Sequence, residues 1–406
     1  MNILRPLEYL LAGTILFLVS QGLLGPLLAD PADPEGPALL RVMWLPVYGL
    51  TLAWLLITPM RSIDVMMRTP LILILSALCL ASFLWSWDAG VTQRRGFALV
   101  MTTLFGLLLA SRFNWREIIP LFAAVFGVLA VMSALMALGY PTLGVHHDIH
   151  VGAWRGIWWE KNTLGAMMAF GTMASLAAAV CQPERRWIWW GLAAFMAAMV
   201  LMSTSRTALL ALMLGLSILS AVHLCRRGFG FSALILLGGG LVAFIAALVL
   251  AIAPVAVLEA LGRDATLTGR TDIWVVLAEQ VAANPWTGYG YGAFWSGEYG
   301  PAFWVRQRTQ WEVPTAHNGW LEIALSIGIP GVILMALSLL ASILRALSRL
   351  FNGPEAYWAL AFLALISLIS ISESNLLQRN AIVWVLYVAT AARLALPLRY
   401  EAVKER

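Results

Sequence analysis

Twelve apolar runs constrain the fold of this 406-residue chain more than any other feature. A helix needs roughly 17–25 mostly apolar residues to cross the hydrocarbon core of a bilayer. The runs lie at 7–28, 42–58, 70–87, 97–112, 118–139, 162–182, 188–203, 207–225, 231–253, 317–343, 357–373 and 381–397. We therefore predict an all-α integral membrane protein, with about twelve transmembrane helices in one membrane domain that covers residues 1–406.

The composition supports a membrane protein and excludes other classes. Apolar residues make up 61% of the chain and charged residues 12%, whereas soluble domains are typically about 45–50% apolar and about 25% charged. The first run follows Arg5 and is long enough to be a retained span rather than a cleaved signal peptide. Basic residues are spread along the chain, so no nucleic-acid partner is expected. The three cysteines lie in or beside apolar runs, which does not indicate a disulfide framework.

The distribution of Lys and Arg predicts the orientation of the runs. Cytoplasmic loops of membrane proteins are enriched in these residues, and most of them fall on one side when both termini are cytoplasmic. Every even-numbered run then begins at the outer face. Lys161, Arg206 and His317 stand at the outer entrances of the sixth, eighth and tenth runs. Helix N-termini with nearby cations bind phosphate groups, so these ends would form an anion site if they converge.

A long hydrophilic segment at 254–316 separates the ninth and tenth runs and is predicted to be periplasmic. Long loops of this kind are usually functional. Its first part predicts an amphipathic helix near 271–283, which lies on the membrane or caps the helix bundle and which Pro285 ends. Arg270 would precede its first turn. The residues at helical spacing are Ile273, Trp274, Leu277 and Val281.

The segment "PWTGYGYGAFWSGEYGPAFW" at 285–304 is rich in glycine and aromatic residues. The glycines permit close backbone approach, and the aromatic rings suit either stacking against sugar rings or an aromatic belt at the membrane surface. "GYGYG" lacks the lysine and the spacing of a nucleotide-binding P-loop. Two interpretations of this segment therefore stay open.

His317 is the leading candidate for a general base, because histidine accepts a proton near neutral pH. The alternative is a hydrogen-bonded structural histidine at a helix start. "GVHHDIH" at 144–150 contains metal-ligand residue types, but no second cluster completes a coordination shell, so no metal site is predicted. Four acids near the outer boundary have no assigned role, namely Glu160, Asp272, Glu322 and Glu373.

Five motifs occur together in a fixed order along the chain. They are "KNTLG" (161–165), "SRTALL" (205–210), "TGRTDIW" (268–274), "PWTGYGYGAFW" (285–295) and "AHNGWLEIALSIGIPG" (316–331). In this order, with the long outer segment between the ninth and tenth runs, the chain resembles the O-antigen ligase and polysaccharide polymerase superfamily of bacterial inner-membrane proteins. The resemblance extends from about residue 150 to the C-terminus.

The resemblance implies a C-type glycosyltransferase fold and an active site on the periplasmic face. Such enzymes move a glycan from undecaprenyl pyrophosphate to an acceptor hydroxyl, without a metal cofactor. Carried over to this sequence, His317 is the catalytic base, Arg206, Arg270 and Lys161 bind the donor pyrophosphate, and the neighbours of the site are Asn162, Arg155, Asn318 and Tyr291. The implied partners are an undecaprenyl-pyrophosphate-linked oligosaccharide, a glycan or lipid A–core acceptor, membrane lipids and polysaccharide-assembly proteins.

Three functions remain as alternatives. The phrases "RGIWWEKNTLG" and "SESNLLQRNAIVWVLYVA" are similar to those of exopolysaccharide polymerases, so we favour polymerisation of lipid-linked repeat units. An O-antigen ligase that transfers the glycan to lipid A–core is the second alternative. A transporter of lipid-linked sugars is the third, but transporters place ionisable residues at midplane depth, whereas here such residues gather at the outer boundary.

Overall fold

The computed structural model describes residues 4–24, 42–57, 59–148, 150–252, 270–310 and 313–397. Within these ranges the chain is helical and contains no β-strand, only an isolated bridge between Val145 and Trp154. The predicted all-α class is confirmed. The α-helices are α1 (Leu4–Val19), α2 (Trp44–Ile57), α3 (Pro59–Met67), α4 (Pro70–Ala81), α5 (Ala89–Arg112), α6 (Trp115–Gly139), α7 (Pro141–Gly144), α8 (Lys161–Cys181), α9 (Arg186–Met202), α10 (Arg206–Cys225), α11 (Phe229–Ile252), α12 (Arg270–Ala283), α13 (Ala302–Thr309), α14 (Gly319–Ser348), α15 (Glu355–Ile369) and α16 (Ile382–Ala395).

Each of the twelve apolar runs overlaps a helix, but the helices differ in their ability to span a membrane. Five of the described helices, α5, α6, α8, α10 and α14, are long and apolar enough, and α2 and α3 taken together would make a sixth candidate. Further apolar helices, among them α4, α15 and α16, are shorter. The protein is therefore a multi-pass membrane protein, while the count of twelve spans stays a prediction.

Helix α8 lies at the centre of the bundle and packs against α6, α9, α10 and α15. Its sequence is rich in Gly and Ala, which let neighbouring helices approach closely inside a membrane. A Cβ atom on Gly171 would lie 2.5 Å from the Met196 sulfur, and one on Gly165 would lie 2.6 Å from the Ala208 Cβ. Close packing against α9 and α10 therefore fixes the position of α8, including its first residue.

Helix α14 is broken at Ile327 and Gly328, where the backbone leaves helical geometry two residues before Pro330. The break exposes backbone groups that the aromatic segment satisfies. Tyr289 N donates to Leu325 O at 2.8 Å, and Gly290 N donates to the next carbonyl at 3.0 Å. A broken helix inside a membrane protein is tolerated where neighbouring chain completes its hydrogen bonds.

Two glycines of this region are required by the close approach of the two backbones. Gly288 and Gly328 both have positive φ angles, 62° and 71°. A Cβ atom on Gly288 would lie 2.7 Å from Leu325 O, and one on Gly328 would lie 2.6 Å from the Trp286 carbonyl. Gly288 of "TGYGYG" thus lets this segment approach the backbone of α14. The sequence predicts close backbone approach at these glycines but does not say whether the approach is to a ligand or to the protein itself.

Helix α12 covers the segment for which the spacing predicts an amphipathic helix. Its buried side chains are Ile273, Val276 and Leu277, which form a small second core with α13, α14 and the aromatic segment. The predicted face differs in detail, because Trp274 and Val281 are half-buried. α12 packs against α14. Residues 253–269 and 311–312 of the predicted periplasmic segment lie outside the described residues.

Candidate active site

The first residues of α8, α10 and α14 meet at one place, and side-chain hydrogen bonds connect them. Ser205, which precedes α10, donates from Oγ to Asn162 Oδ1 at 2.8 Å. The Asn162 amide in turn donates to Glu373 Oε1 at 3.1 Å. The second oxygen of Glu373 lies 3.9 Å from His317 Nδ1. The convergence on which the predicted anion site depends is thus present for Lys161, Asn162, Arg206 and His317.

Local capping interactions start two of these helices. The Ser205 side chain accepts a hydrogen bond from Ala208 N, as N-cap serines do. The Asn318 side chain accepts from Trp320 N at 3.0 Å and from Leu321 N at 3.2 Å. Asn318, expected to be a site neighbour, therefore lies beside His317, and its side-chain oxygen caps α14.

Two cations stand at the starts of α8 and α10. Lys161 Nζ donates to Thr204 Oγ1 at 3.4 Å, and Arg206 is exposed as the first residue of α10. The two positive groups repel each other. The helix dipoles add positive potential at the same point. This arrangement favours a ligand with more than one negative charge.

The backbone at His317 has a positive φ of 46°, and Thr204 beside Lys161 has a φ of 49°. Non-glycine residues adopt this left-handed conformation at a cost, and such residues cluster at functional sites. The His317 side chain is half-buried, and its Nδ1 faces Glu373. The Glu373 carboxylate is thus placed beside a ring nitrogen of the candidate base.

Glu373 and Glu160 complete the polar cluster, and sequence reasoning gave neither acid a role. Glu160 immediately precedes α8 and is exposed, although neighbouring groups partly shield its carboxylate from water. Partial desolvation and then repulsion from Glu373 raise the pKa of Glu160, while His317 and Arg155 oppose the rise. Glu373 contacts both Asn162 and His317. In the sequence, Glu373 lies in "SESN", the start of one of the phrases that resemble exopolysaccharide polymerases.

Arg155 and Tyr291 both donate hydrogen bonds to backbone carbonyls. The Arg155 guanidinium donates to Leu143 O at 2.9 Å and to Thr142 O at 3.1 Å, which ties it to its own loop. Tyr291 is buried, and its hydroxyl donates to Leu377 O at 2.5 Å. Arg155 therefore contributes positive charge near Glu160, and Tyr291 belongs to the wall of a neighbouring cavity.

Arg270 is the first residue of α12, and the placement of its side chain lies outside the described residues. The helix itself reaches the site, because Trp274 Nε1 donates to Ala316 O at 2.9 Å. Ala316 immediately precedes His317. The role of Arg270 as a phosphate ligand stays a prediction.

The histidine-rich segment at 144–150 is a separate feature. His146 Nδ1 lies 3.7 Å from Asp148 Oδ1, and the rings of His146 and His150 are 5.9 Å apart in an edge-to-face arrangement. Burial lowers the pKa of both His146 and His150. Across the described part of the chain, no three His, Cys, Asp or Glu side chains are grouped as metal ligands would be.

The fold and this cluster define a multi-pass membrane protein with a polar, cationic site where helices begin. Residues 191–336, which include Arg206, Arg270 and His317, match the family model described as O-antigen ligase. The chain is also 26% identical over 345 residues to the exopolysaccharide production protein ExoQ of Rhizobium meliloti (strain 1021), an alignment that covers 80% of this chain and 76% of that protein. Both similarities confirm the predicted resemblance to the O-antigen ligase and polymerase family.

Proposed function

We propose that this protein is a glycosyltransferase of the bacterial inner membrane, with its active site on the periplasmic side and both termini in the cytoplasm. It moves a glycan from undecaprenyl pyrophosphate to an acceptor hydroxyl during assembly of a surface polysaccharide. Similarity to the O-antigen ligase and polymerase family supports an enzyme of this class. The observation that carries the reaction is the meeting of Lys161, Arg206 and His317 at three helix starts.

The donor pyrophosphate is the natural ligand for the cationic part of the site. Lys161 and Arg206 bind it together with the N-terminal ends of α8 and α10, and Arg270 joins them from the start of α12. Negative charge grows on the pyrophosphate as the bond between the sugar anomeric carbon and the phosphate oxygen breaks. Preorganised cations stabilise that charge more in the transition state than in the ground state.

The new bond joins the same anomeric carbon to the acceptor oxygen. His317 accepts the proton of the acceptor hydroxyl, and undecaprenyl pyrophosphate leaves with the electron pair of the broken bond. Glu373 orients the imidazole of His317, while Asn162 fixes the Glu373 carboxylate. Glu373 is therefore a positioning residue. A base placed in this way contributes roughly 10²–10⁴-fold to the rate.

We expect the reaction to proceed without a metal cofactor, because protein cations and helix dipoles supply the positive charge. Transfer that continues in the presence of EDTA would support this expectation. Loss of transfer with EDTA, restored by one divalent cation, would contradict it.

Polymerisation of lipid-linked repeat units is the acceptor choice that we favour. The similarity to an exopolysaccharide production protein extends over 80% of the chain. The ligase alternative, with lipid A–core as acceptor, is favoured by the description of the family model that matches residues 191–336. Membrane lipids surround either enzyme, and we expect polysaccharide-assembly proteins as partners.

The test uses purified protein in lipid nanodiscs, with donor extracted from the source cell. One reaction receives donor alone, and a second also receives lipid A–core. A ladder of lengthening lipid-linked glycans from donor alone identifies a polymerase, and product that requires lipid A–core identifies a ligase. Absence of any new glycosidic bond, with active donor confirmed, would contradict the proposal in favour of transport.

A further inference from the structure

A cavity lies beside the candidate active site, and the proposed reaction does not use it. It has a volume of about 270 Å³ and is lined by separate segments of the chain. Arg95 enters it from the second turn of α5, and Arg379 enters from the loop before α16. Tyr291 and Trp295 come from the aromatic segment. The cavity has room for a single sugar residue rather than for a long chain.

The cavity and His317 share a wall. Glu322 lines the cavity, and its carboxylate accepts hydrogen bonds from Ala316 N at 2.6 Å and from Trp295 Nε1 at 3.1 Å. Thr315 also lines the cavity, and its hydroxyl accepts from His317 N at 3.4 Å. A ligand in the cavity therefore lies next to the segment that carries the proposed base.

The position of Arg95 depends on the aromatic segment. Its guanidinium donates to Gly292 O at 2.5 Å. Gly292 has a φ of 71°, and a Cβ atom at that position would lie 2.8 Å from the Arg95 Cδ. A glycine is thus required here for the arginine to reach the cavity, which gives this glycine of "GYGYG" a specific purpose.

The charges of the cavity favour an anionic ligand. Two arginines, Arg95 and Arg379, line the cavity together with one carboxylate, Glu322, whose oxygens already accept hydrogen bonds. Burial raises the pKa of the Tyr291 hydroxyl. The positive charges of Arg379 and Arg95 oppose that rise, so both arginines lie close enough to Tyr291 to interact with it. Trp295 adds an aromatic surface, and a few placed polar groups in such a wall are typical of ligand pockets.

We propose that this cavity is an acceptor subsite that binds an anionic sugar residue, with Arg95 and Arg379 holding its carboxylate or phosphate. The assignment to the acceptor rests on the proposed function, in which the donor pyrophosphate occupies the cluster of Lys161 and Arg206. The acceptor must present its hydroxyl to His317, and the cavity is lined by Thr315, two residues before it. Because a planar guanidinium binds carboxylate and phosphate in a bidentate manner, either group satisfies the site.

The test measures binding of three small probes to the full-length protein in nanodiscs by ligand-observed NMR. The probes are methyl glucuronide, glucose 1-phosphate and the neutral methyl glucoside. We expect at least one anionic probe to bind at least tenfold more tightly than the neutral one, and the preferred probe distinguishes a sugar carboxylate from a phosphate. Equal binding of all three, or no binding of any, would overturn the inference without requiring any variant.

Two variants locate the binding. Arg379→Gln should weaken the anionic probe at least tenfold. The control Arg308→Gln removes an exposed arginine that pairs with Glu279, and it should leave affinity unchanged. Unchanged affinity in a folded Arg379→Gln protein would overturn the inference. Binding of undecaprenyl pyrophosphate, measured in parallel, should be unchanged in both variants. Because no transfer is required, failure of the subsite leaves the transferase proposal standing, and failure of transfer leaves the binding result interpretable.

Discussion

The two ends of helix α10 carry an arginine each, and these arginines are used in opposite ways. Arg226 follows the last residue of the helix and donates to Leu350 O and Gly353 O, both at 2.6 Å. Arg206 is the first residue of the helix and is exposed beside Lys161. A cation stabilises a helix at its C-terminus and destabilises it at its N-terminus, by roughly 0.3–1 kcal/mol in each case. Arg226 therefore serves the fold, while Arg206 stands where the fold alone would not favour it.

The same contrast holds across the bundle. At the end that we predict to be cytoplasmic, Arg5 pairs with Glu8 and with Glu117 at 2.5 Å and 2.6 Å, and Arg112 also pairs with Glu8. Buried Arg349 lies 3.8 Å from Glu355. At the other end, Lys161 bonds a hydroxyl rather than a carboxylate. The cations at these helix N-termini support the proposal that a negatively charged ligand binds there.

The largest loss of glycan transfer is expected from His317→Ala. Loss of the base should reduce transfer roughly 10²–10⁴-fold, while the protein stays folded and binds donor. The control His223→Ala removes an exposed histidine near the other end of α10, which contacts Arg227, and it should leave transfer unchanged. Full transfer by the His317→Ala protein would remove the base assignment.

The two arginines of α10 provide the second prediction. Arg206→Ala should reduce transfer about 10²–10³-fold, as removal of one charge-stabilising donor does, and should lower thermal stability less than Arg226→Ala does. Arg226→Ala should keep the transfer rate per folded molecule and lower stability, because it breaks two charged hydrogen bonds of about 1.5–3 kcal/mol each. Transfer and thermal unfolding are measured on the same nanodisc preparations. An equal stability loss for both variants, with similar residual activity, would break the comparison.

Glu373→Gln should have a smaller effect on transfer. The amide keeps the contact with Asn162 but replaces the carboxylate oxygen beside His317 Nδ1 by a neutral group. We expect kcat to fall about tenfold, which corresponds to about 1.4 kcal/mol, with the KM for the donor unchanged. The split between kcat and KM is the informative readout, since a purely structural role for Glu373 would also weaken donor binding and lower thermal stability.

The smallest effect is expected from Glu160→Gln. The pKa of Glu160 is raised in the folded protein by partial desolvation and by Glu373, so ionisation of Glu160 costs stability. That cost is absent below the pKa of the unfolded chain, about 4.3, and is fully present once the pH exceeds the folded pKa. The variant should therefore unfold at a slightly higher temperature than the wild type at pH 7 and at the same temperature near pH 4. A lower unfolding temperature at pH 7 would contradict the electrostatic account.

Hydropathy and helix-start logic predicted the helical class and the cationic starts of the sixth, eighth and tenth runs. Lys161, Arg206 and His317 meet because close packing through Gly165 fixes α8 against α10, and the Asn162–Glu373 bond links residues 211 positions apart. A contact at that separation cannot be read from local periodicity, so Glu373 had no predicted role. Sequence reasoning placed Glu373 among the available acids and stopped there.

The aromatic segment shows a different limit. Its glycines were interpreted as giving close backbone approach and its rings as a sugar platform or a membrane belt. The structure uses the backbone of Tyr289 and Gly290 to complete the break in α14. Pro330 indicated a disturbed helix, but the positive φ of Gly328 and the identity of the segment that fills the break depend on tertiary packing.

Photocrosslinking would show directly whether the donor pyrophosphate binds where α8, α10 and α14 begin. A photoactivatable undecaprenyl-pyrophosphate analogue is irradiated with the wild-type protein in nanodiscs, and the labelled peptides are mapped by mass spectrometry. We expect labels at 160–163, 204–207 and 315–318, and excess undecaprenyl pyrophosphate should prevent this labelling. Labels that the excess prevents but that are confined to 224–228 and 345–354, at the opposite end of the bundle, would contradict the proposed donor site.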